Sequence, residues 1–140
     1  MTLTDLAPGA VLTLQCPTIT RTALALYAGA SGDHNPVHLD IDACRAVGID
    51  DVFAHGMLSM AYLGRLLTDN VPQQSLRSFE VRFTAITPVN VTPCCRATVT
   101  RVEDGCADLE LVVQLPDGTV TLQGRAVVSL PETDPRKLHS

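Results

Sequence analysis

The stretch from Tyr27 to Asp40, YAGASGDHNPVHLD, carries a carboxylate, Asp33, and an imidazole, His38, five positions apart. A carboxylate and an imidazole brought together can take a proton from one atom and return one to another. Asn35-Pro36 lies between them, and proline both lacks an N–H and pushes its predecessor out of the helical region, so the pair cannot share a helical face. Gly29 and Gly32 add permissive backbone just upstream, and Asn35 can hydrogen-bond locally to hold a turn. On residue types alone, Asp33-His34-Asn35-Pro36 also reads as an ordinary surface turn.

The elements around this loop must decide whether it holds a fixed geometry. Ala10 to Leu14 reads as a short first strand, and Thr20 as the N-cap of a helix through Ala28 with Leu24, Tyr27 and Ala28 on one side. A second short helix is expected over Ile41 to Val47, on the surface, stopped by Gly48. From Met57 to Leu67 only Ser59 and Arg65 are strongly polar, which predicts a helix buried nearly all round. After Asn70-Val71-Pro72 the period changes to two: Phe79, Val81, Phe83 and Ala85 alternate with polar neighbours, the pattern of a half-buried strand. Strands follow over Val91 to Val102, Ala107 to Leu115 and Val120 to Val128, joined by turns at Glu103-Asp104-Gly105 and Pro116-Asp117-Gly118. The fold class is therefore α+β, an antiparallel curved sheet wrapped around one long apolar helix, with a loop insertion before that helix.

Composition narrows the partners. The 140 residues suit a single domain over 1–130 with a polar tail over 131–140 that frays. A net charge of -5 argues against nucleic acid, and 46% hydrophobic against 18% charged residues argues against disorder. No apolar run reaches the roughly 18 residues that span a bilayer, and MTLTDLAPGA lacks the pattern of a signal peptide, so a cytoplasmic location without membrane contact is expected. Five cysteines, Cys16, Cys44, Cys94, Cys95 and Cys106, show no CxxC spacing and read as buried thiols rather than disulfides or a zinc site.

Together these motifs resemble a known family. YAGASGDHNPVHLD resembles the hydratase motif of MaoC-like, (R)-specific enoyl-thioester hydratases of the hot-dog fold, and FAHGML at Phe53 to Leu58 resembles the start of their central helix. Val81-Arg82-Phe83 and Gly124-Arg125-Ala126 are similar to strand segments of the same family, so the resemblance covers nearly the whole chain. It extends to the catalytic subunits of mycobacterial-type (3R)-hydroxyacyl-carrier-protein dehydratases, whose sites can lie at a heterodimer interface.

The resemblance implies reversible addition of water to a trans-2-enoyl thioester of coenzyme A or acyl carrier protein. That reaction needs a base for water, an acid for the carbon beside the carbonyl, and stabilisation of the enolate oxygen. Asp33 and His38 are the implied acid–base pair, and Gly56 the residue whose backbone N–H, with the helix dipole behind it, meets the thioester oxygen. Asn35 is expected to fix the loop, because an amide does not titrate. His55 is expected to satisfy backbone groups near the helix start. Gly64 departs from the family, some members of which carry a hydroxyl there.

No cofactor is expected and no metal, because Asn35-Pro36 breaks the helix that would align His34 with His38 for a site with Asp33 and His55. Cys44 and Ser59 lack the surroundings of a nucleophile. A hot-dog thioesterase is the alternative enzyme, disfavoured by a helix without Asp or Glu. A non-catalytic subunit of a heterodimeric dehydratase is the alternative role, disfavoured by the joint presence of Asp33, His38 and Gly56. A homodimer is expected, or a heterodimer with another hot-dog subunit, because a lone sheet leaves its edges open.

Overall fold

A computed structural model of the chain describes residues 6–131, so the C-terminal tail from 132 onward and the first five residues lie outside the described residues. Strand β1 (Val11–Gln15) leads into helix α1 (Arg21–Ser31), a single 3-10 turn (Pro36–His38), helix α2 (Ile41–Ala46) and helix α3 (Gly56–Thr68). Strands β2 (Leu76–Phe83), β3 (Cys94–Glu103), β4 (Cys106–Gln114) and β5 (Val120–Ser129) complete one antiparallel sheet in the order β1-β3-β4-β5-β2.

Local chemistry sets the boundaries. Thr20 Oγ1 accepts from the Ala23 N–H at 3.0 Å and starts α1, and Gly32 ends it in the left-handed region at φ 78°. Asp40 caps α2 in the same way, at 2.9 Å from the Asp42 nitrogen. Asp104 and Gly105 both take positive φ, the requirement of the tight turn that joins β3 to β4. The third strand begins at Cys94 rather than Val91, because Val91 gives its carbonyl to Ile19 and Pro93 has no N–H to offer a ladder.

The concave face of the sheet packs on α3. Leu63, Leu66 and Leu67 sit against Val99, Leu109, Leu111, Val113, Leu122 and Val128 in one continuous core, where each fully buried leucine contributes about 2 kcal/mol. A smaller cluster of Ile19, Leu24, Cys44, Val52, Ala54 and Val89 lies under α1 and α2, and Tyr62 touches both.

Two sequence expectations fail here. The central helix is not buried nearly all round: Met57, Ala61 and Arg65, spaced at four, form an exposed stripe, with Met57 56% exposed. One sheet can cover only one side of a helix. The second strand is not cleanly half-buried either, since Phe83 is 51% exposed and Ala85 lies beyond the strand. As an edge strand, β2 has a neighbour on one side only, pairing with β5 through Phe83.

All five cysteines are free; Cys16, Cys44 and Cys95 are buried, while Cys94 and Cys106 are only half-buried because their side chains lie at strand ends. Among the described residues no helix is long and apolar enough to cross a membrane.

Candidate active site

The loop after α1 is built from a relay of short bonds. The Asp33 N–H donates to Ser31 Oγ, Asp33 Oδ1 accepts from the Asn35 N–H, and Asn35 Oδ1 accepts from the Val37 N–H, each at 3.2 Å. Pro36 then opens the 3-10 turn, whose last residue is His38. The Asn-Pro bend thus places Asp33 and His38 on the same side of the turn, with the Asp33 carboxylate half-exposed and the His38 ring nearly buried.

His38 is held from a second element. Its Nδ1 lies 2.8 Å from the Phe53 carbonyl oxygen, and since a carbonyl only accepts, Nδ1 carries the proton. The Phe53 ring meets the imidazole edge-on at 5.2 Å. The Phe53 N–H in turn donates to the Val37 carbonyl at 3.2 Å, lacing the two segments in both directions. His38 Nε2 is left facing Asp33 Oδ2 at 3.8 Å. That gap is too wide for a direct hydrogen bond and suits a small hydroxyl or water bonded to both.

His55 closes the cluster. It is 1% exposed, its Nε2 donates to the Asp33 carbonyl oxygen at 3.0 Å, and its ring stacks on that of His38 with centroids 3.8 Å apart and planes at 24°. Burial lowers its pKa, partly opposed by the bond to the Asp33 carbonyl, with the neighbouring His38 adding to the lowering. The expected satisfaction of backbone groups is therefore met across the site at Asp33, whereas His55 makes no side-chain cap on α3.

Ligand-capable atoms of Asp33, His38 and His55 lie within 4.8 Å of one another. Stacked rings send their in-plane lone pairs out side by side rather than toward one point, and each ring already gives one N–H to a carbonyl. A transition-metal ion bonded at about 2.0–2.1 Å needs its donors to converge, so the arrangement fits proton transfer better than ligation.

Gly56 follows His55 as the first residue of α3, where backbone N–H groups have no intrahelical acceptor. A side chain there would meet the Phe83 ring, with Cε1 2.8 Å from an ideal Cβ. Phe53, Ala54, Gly56, Phe83, Ile86 and Leu122 line a mainly apolar cleft of about 370 Å³ that shares Phe53 and Gly56 with the site. A slightly larger groove, about 440 Å³, crosses the sheet between Glu80, Glu110 and Arg125 and touches none of Phe53, His55 or Gly56.

Residues 6–118 match the MaoC like domain family. The chain belongs to that family. It is 29% identical over 116 residues to the 3-hydroxyacyl-thioester dehydratase Z of Mycobacterium tuberculosis, covering 78% of this chain and 75% of that protein. It is 28% identical over 118 residues to the (R)-specific enoyl-CoA hydratase of Rhodospirillum rubrum, covering 81% of each. Its fold superposes on the solved (R)-hydratase of A. caviae with a TM-score of 0.79 and 25% identity, over 91% of this chain and 98% of that one. The α+β hot-dog architecture expected from the sequence is thereby shown.

Within this MaoC-like domain, the structure brings together Asp33, His38 and His55, keeps Asn35 in its own turn, and sets Gly56 at the neighbouring helix start. His34 is exposed and stands outside the cluster. Cys44 is buried and donates its thiol to the Val37 carbonyl, and burial followed by the charges of Asp51 and Asp40 raises its pKa. Ser59 is buried on α3. Two residues had been given no role in the site: Phe53, which holds His38 by its carbonyl, and Tyr27, whose ring meets His55 at 4.8 Å and 65°. A backbone carbonyl carries no residue-type signal, although Phe53 does lie in the FAHGML segment.

Proposed function

We propose that this chain is a hydro-lyase that reversibly adds water to trans-2-enoyl thioesters to give (R)-3-hydroxyacyl thioesters. The observation that carries the reading is the 3.8 Å gap between Asp33 Oδ2 and His38 Nε2, with the other side of the His38 ring tied to Phe53. A water in that gap is oriented by both groups. Asp33 takes one proton as the water oxygen bonds to C3, and the electron pair of the alkene moves toward the thioester oxygen. The Gly56 N–H meets that oxygen at the positive end of α3. His38, protonated at Nε2, delivers its proton to C2 on the same face, and the proton held by Asp33 then returns to His38. Dehydration runs the same steps backward.

The names of the relatives, a thioester dehydratase and an enoyl-CoA hydratase, support the substrate class. Coenzyme A and acyl carrier protein share the phosphopantetheine arm, and either carrier presents the same reacting atoms. A thioesterase finds no support in α3, whose sequence GMLSMAYLGRLLT contains no carboxylate. The exposed β2 edge and the exposed apolar side chains Met57, Phe83 and Ile86 support a dimer with a second copy as the working form.

The test is loss of enoyl-thioester ultraviolet absorbance on adding the protein to crotonyl-CoA and longer trans-2-enoyl-CoAs, with chiral analysis of the product. Formation of the (R)-3-hydroxyacyl product is expected. Release of free coenzyme A without hydration would overturn the reading in favour of a thioesterase, and failure on both CoA and carrier-protein substrates would remove it.

A further inference from the structure

We propose that His55 is the positioning residue of the acid–base pair: one buried ring that clamps the Asp33 backbone and backs the His38 imidazole, so that both partners are held from the start of α3. The inference rests on the acid–base reading of Asp33 and His38 and deepens it. The ring touches both members at once, by the 3.0 Å bond to the Asp33 carbonyl and by the 3.8 Å stack on His38. Tyr27, reaching from α1, abuts it edge-on and limits its freedom to turn. Three separate segments, α1, the catalytic loop and the 3-10 turn, are thus referenced to a single side chain on the fourth.

Two features of His55 are not explained by folding alone. It occupies the N-cap position of α3, where a side chain ordinarily accepts a bond from the first turn, yet it makes no such bond. Its Nδ1 is buried with no hydrogen-bond partner, a loss that native structures rarely leave without a reason. Both follow if the ring is committed to the dyad.

The tautomer is dictated by the same contacts. A carbonyl accepts, so Nε2 holds the proton and Nδ1 is bare, which leaves the ring neutral. The groups that face it are Tyr27 from α1, the carbonyl and carboxylate of Asp33 from the loop, and His38 from the 3-10 turn. Protonation at Nδ1 would create a buried donor without an acceptor and set a second cation against the His38 imidazolium that delivers the proton to C2. A neutral ring instead presents its π face to that imidazolium.

His55→Leu removes the donor and the aromatic face, whereas His55→Gln keeps an N–H that can reach the Asp33 carbonyl. Turnover by His55→Leu is expected to fall by about tenfold to a hundredfold, the scale of small misplacements of reacting groups, with KM within about twofold and partial recovery in His55→Gln. Amide hydrogen exchange should rise at Asn35, Val37 and His38 in His55→Leu while β3, β4 and β5 keep their protection. Unchanged kcat and unchanged loop exchange in His55→Leu would overturn the proposal. Equal losses in both variants with faster exchange across the whole sheet would also overturn it, leaving the ring a core filler. The exchange measurement needs no substrate, so it decides the positioning role even if the wild-type protein fails to hydrate enoyl thioesters and the hydratase reading falls.

Discussion

The proposed acid–base roles of Asp33 and His38 rest on surroundings that differ: the carboxylate is half-exposed on a turn it helps to build, and the imidazole is nearly buried and anchored through Nδ1. Asp33→Asn and His38→Ala are each expected to lower turnover at least about a hundredfold, the scale of general acid–base groups, with the melting temperature little changed. The enoyl-absorbance assay and a thermal melt check both halves of that statement. His55 sets a pH dependence of stability. Its pKa is lowered in the folded state, so the unfolded chain binds more protons as pH falls below about 6.5, and stability drops there and levels off once the folded ring also protonates. Melts at about pH 7.5 and about pH 5.5 should show that loss in the wild type and a smaller one in His55→Gln.

At the scale of elements, two glycines mark places where strands and helices come too close for a side chain. Gly124 on β5 would drive a Cβ into the Glu80 carbonyl oxygen and the Val81 backbone of β2. Backbone cannot swing aside, so Gly124→Ala is expected to destabilise the fold by about 2 kcal/mol or more, seen as a lower denaturation midpoint. Gly56 meets only the Phe83 ring, a half-exposed side chain free to move. Gly56→Ala should therefore keep the fold, displace Phe83 and lower turnover by crowding the position assigned to the thioester oxygen; a melt and the hydration assay separate the two effects. The segment before α3 is held by Arg21 of α1, which pairs bidentately with Asp51 at 2.9 and 2.6 Å and lowers the Asp51 pKa. Gly64, a departure from the family resemblance, has the Phe79 ring beside it, 3.4 Å from an ideal Cβ.

The whole molecule leaves work for a second copy. Among the described residues the sheet ends at β1 and β2, and the β2 side carries Phe83 and, close in sequence, Ile86, both exposed. Light scattering is expected to give a dimer, and Phe83→Glu, which puts a charge beside that edge, should shift it toward monomer with a parallel loss of activity.

Much of this was legible in advance for physical reasons that act locally. Period-two alternation marked β4 and β5, Thr20 marked the start of α1, which runs to Ser31 rather than ending at Ala28, and Asn35-Pro36 forced the bend between Asp33 and His38. These signals depend on each residue's own backbone preferences and near neighbours, which the chain carries with it. The exposed stripe of α3 was not legible, because apolar composition states what a helix prefers and not how many sides the sheet can cover. Nor was the clamp on the dyad: the Phe53 carbonyl on His38, the His55 ring between Asp33 and Tyr27, and the Phe83 ring over Gly56. Types and spacing thus determined the fold class and singled out Asp33 and His38 as candidates, while distances, tautomers and the stacking of the two histidines waited on the tertiary structure, since they arise between segments that only packing brings within reach.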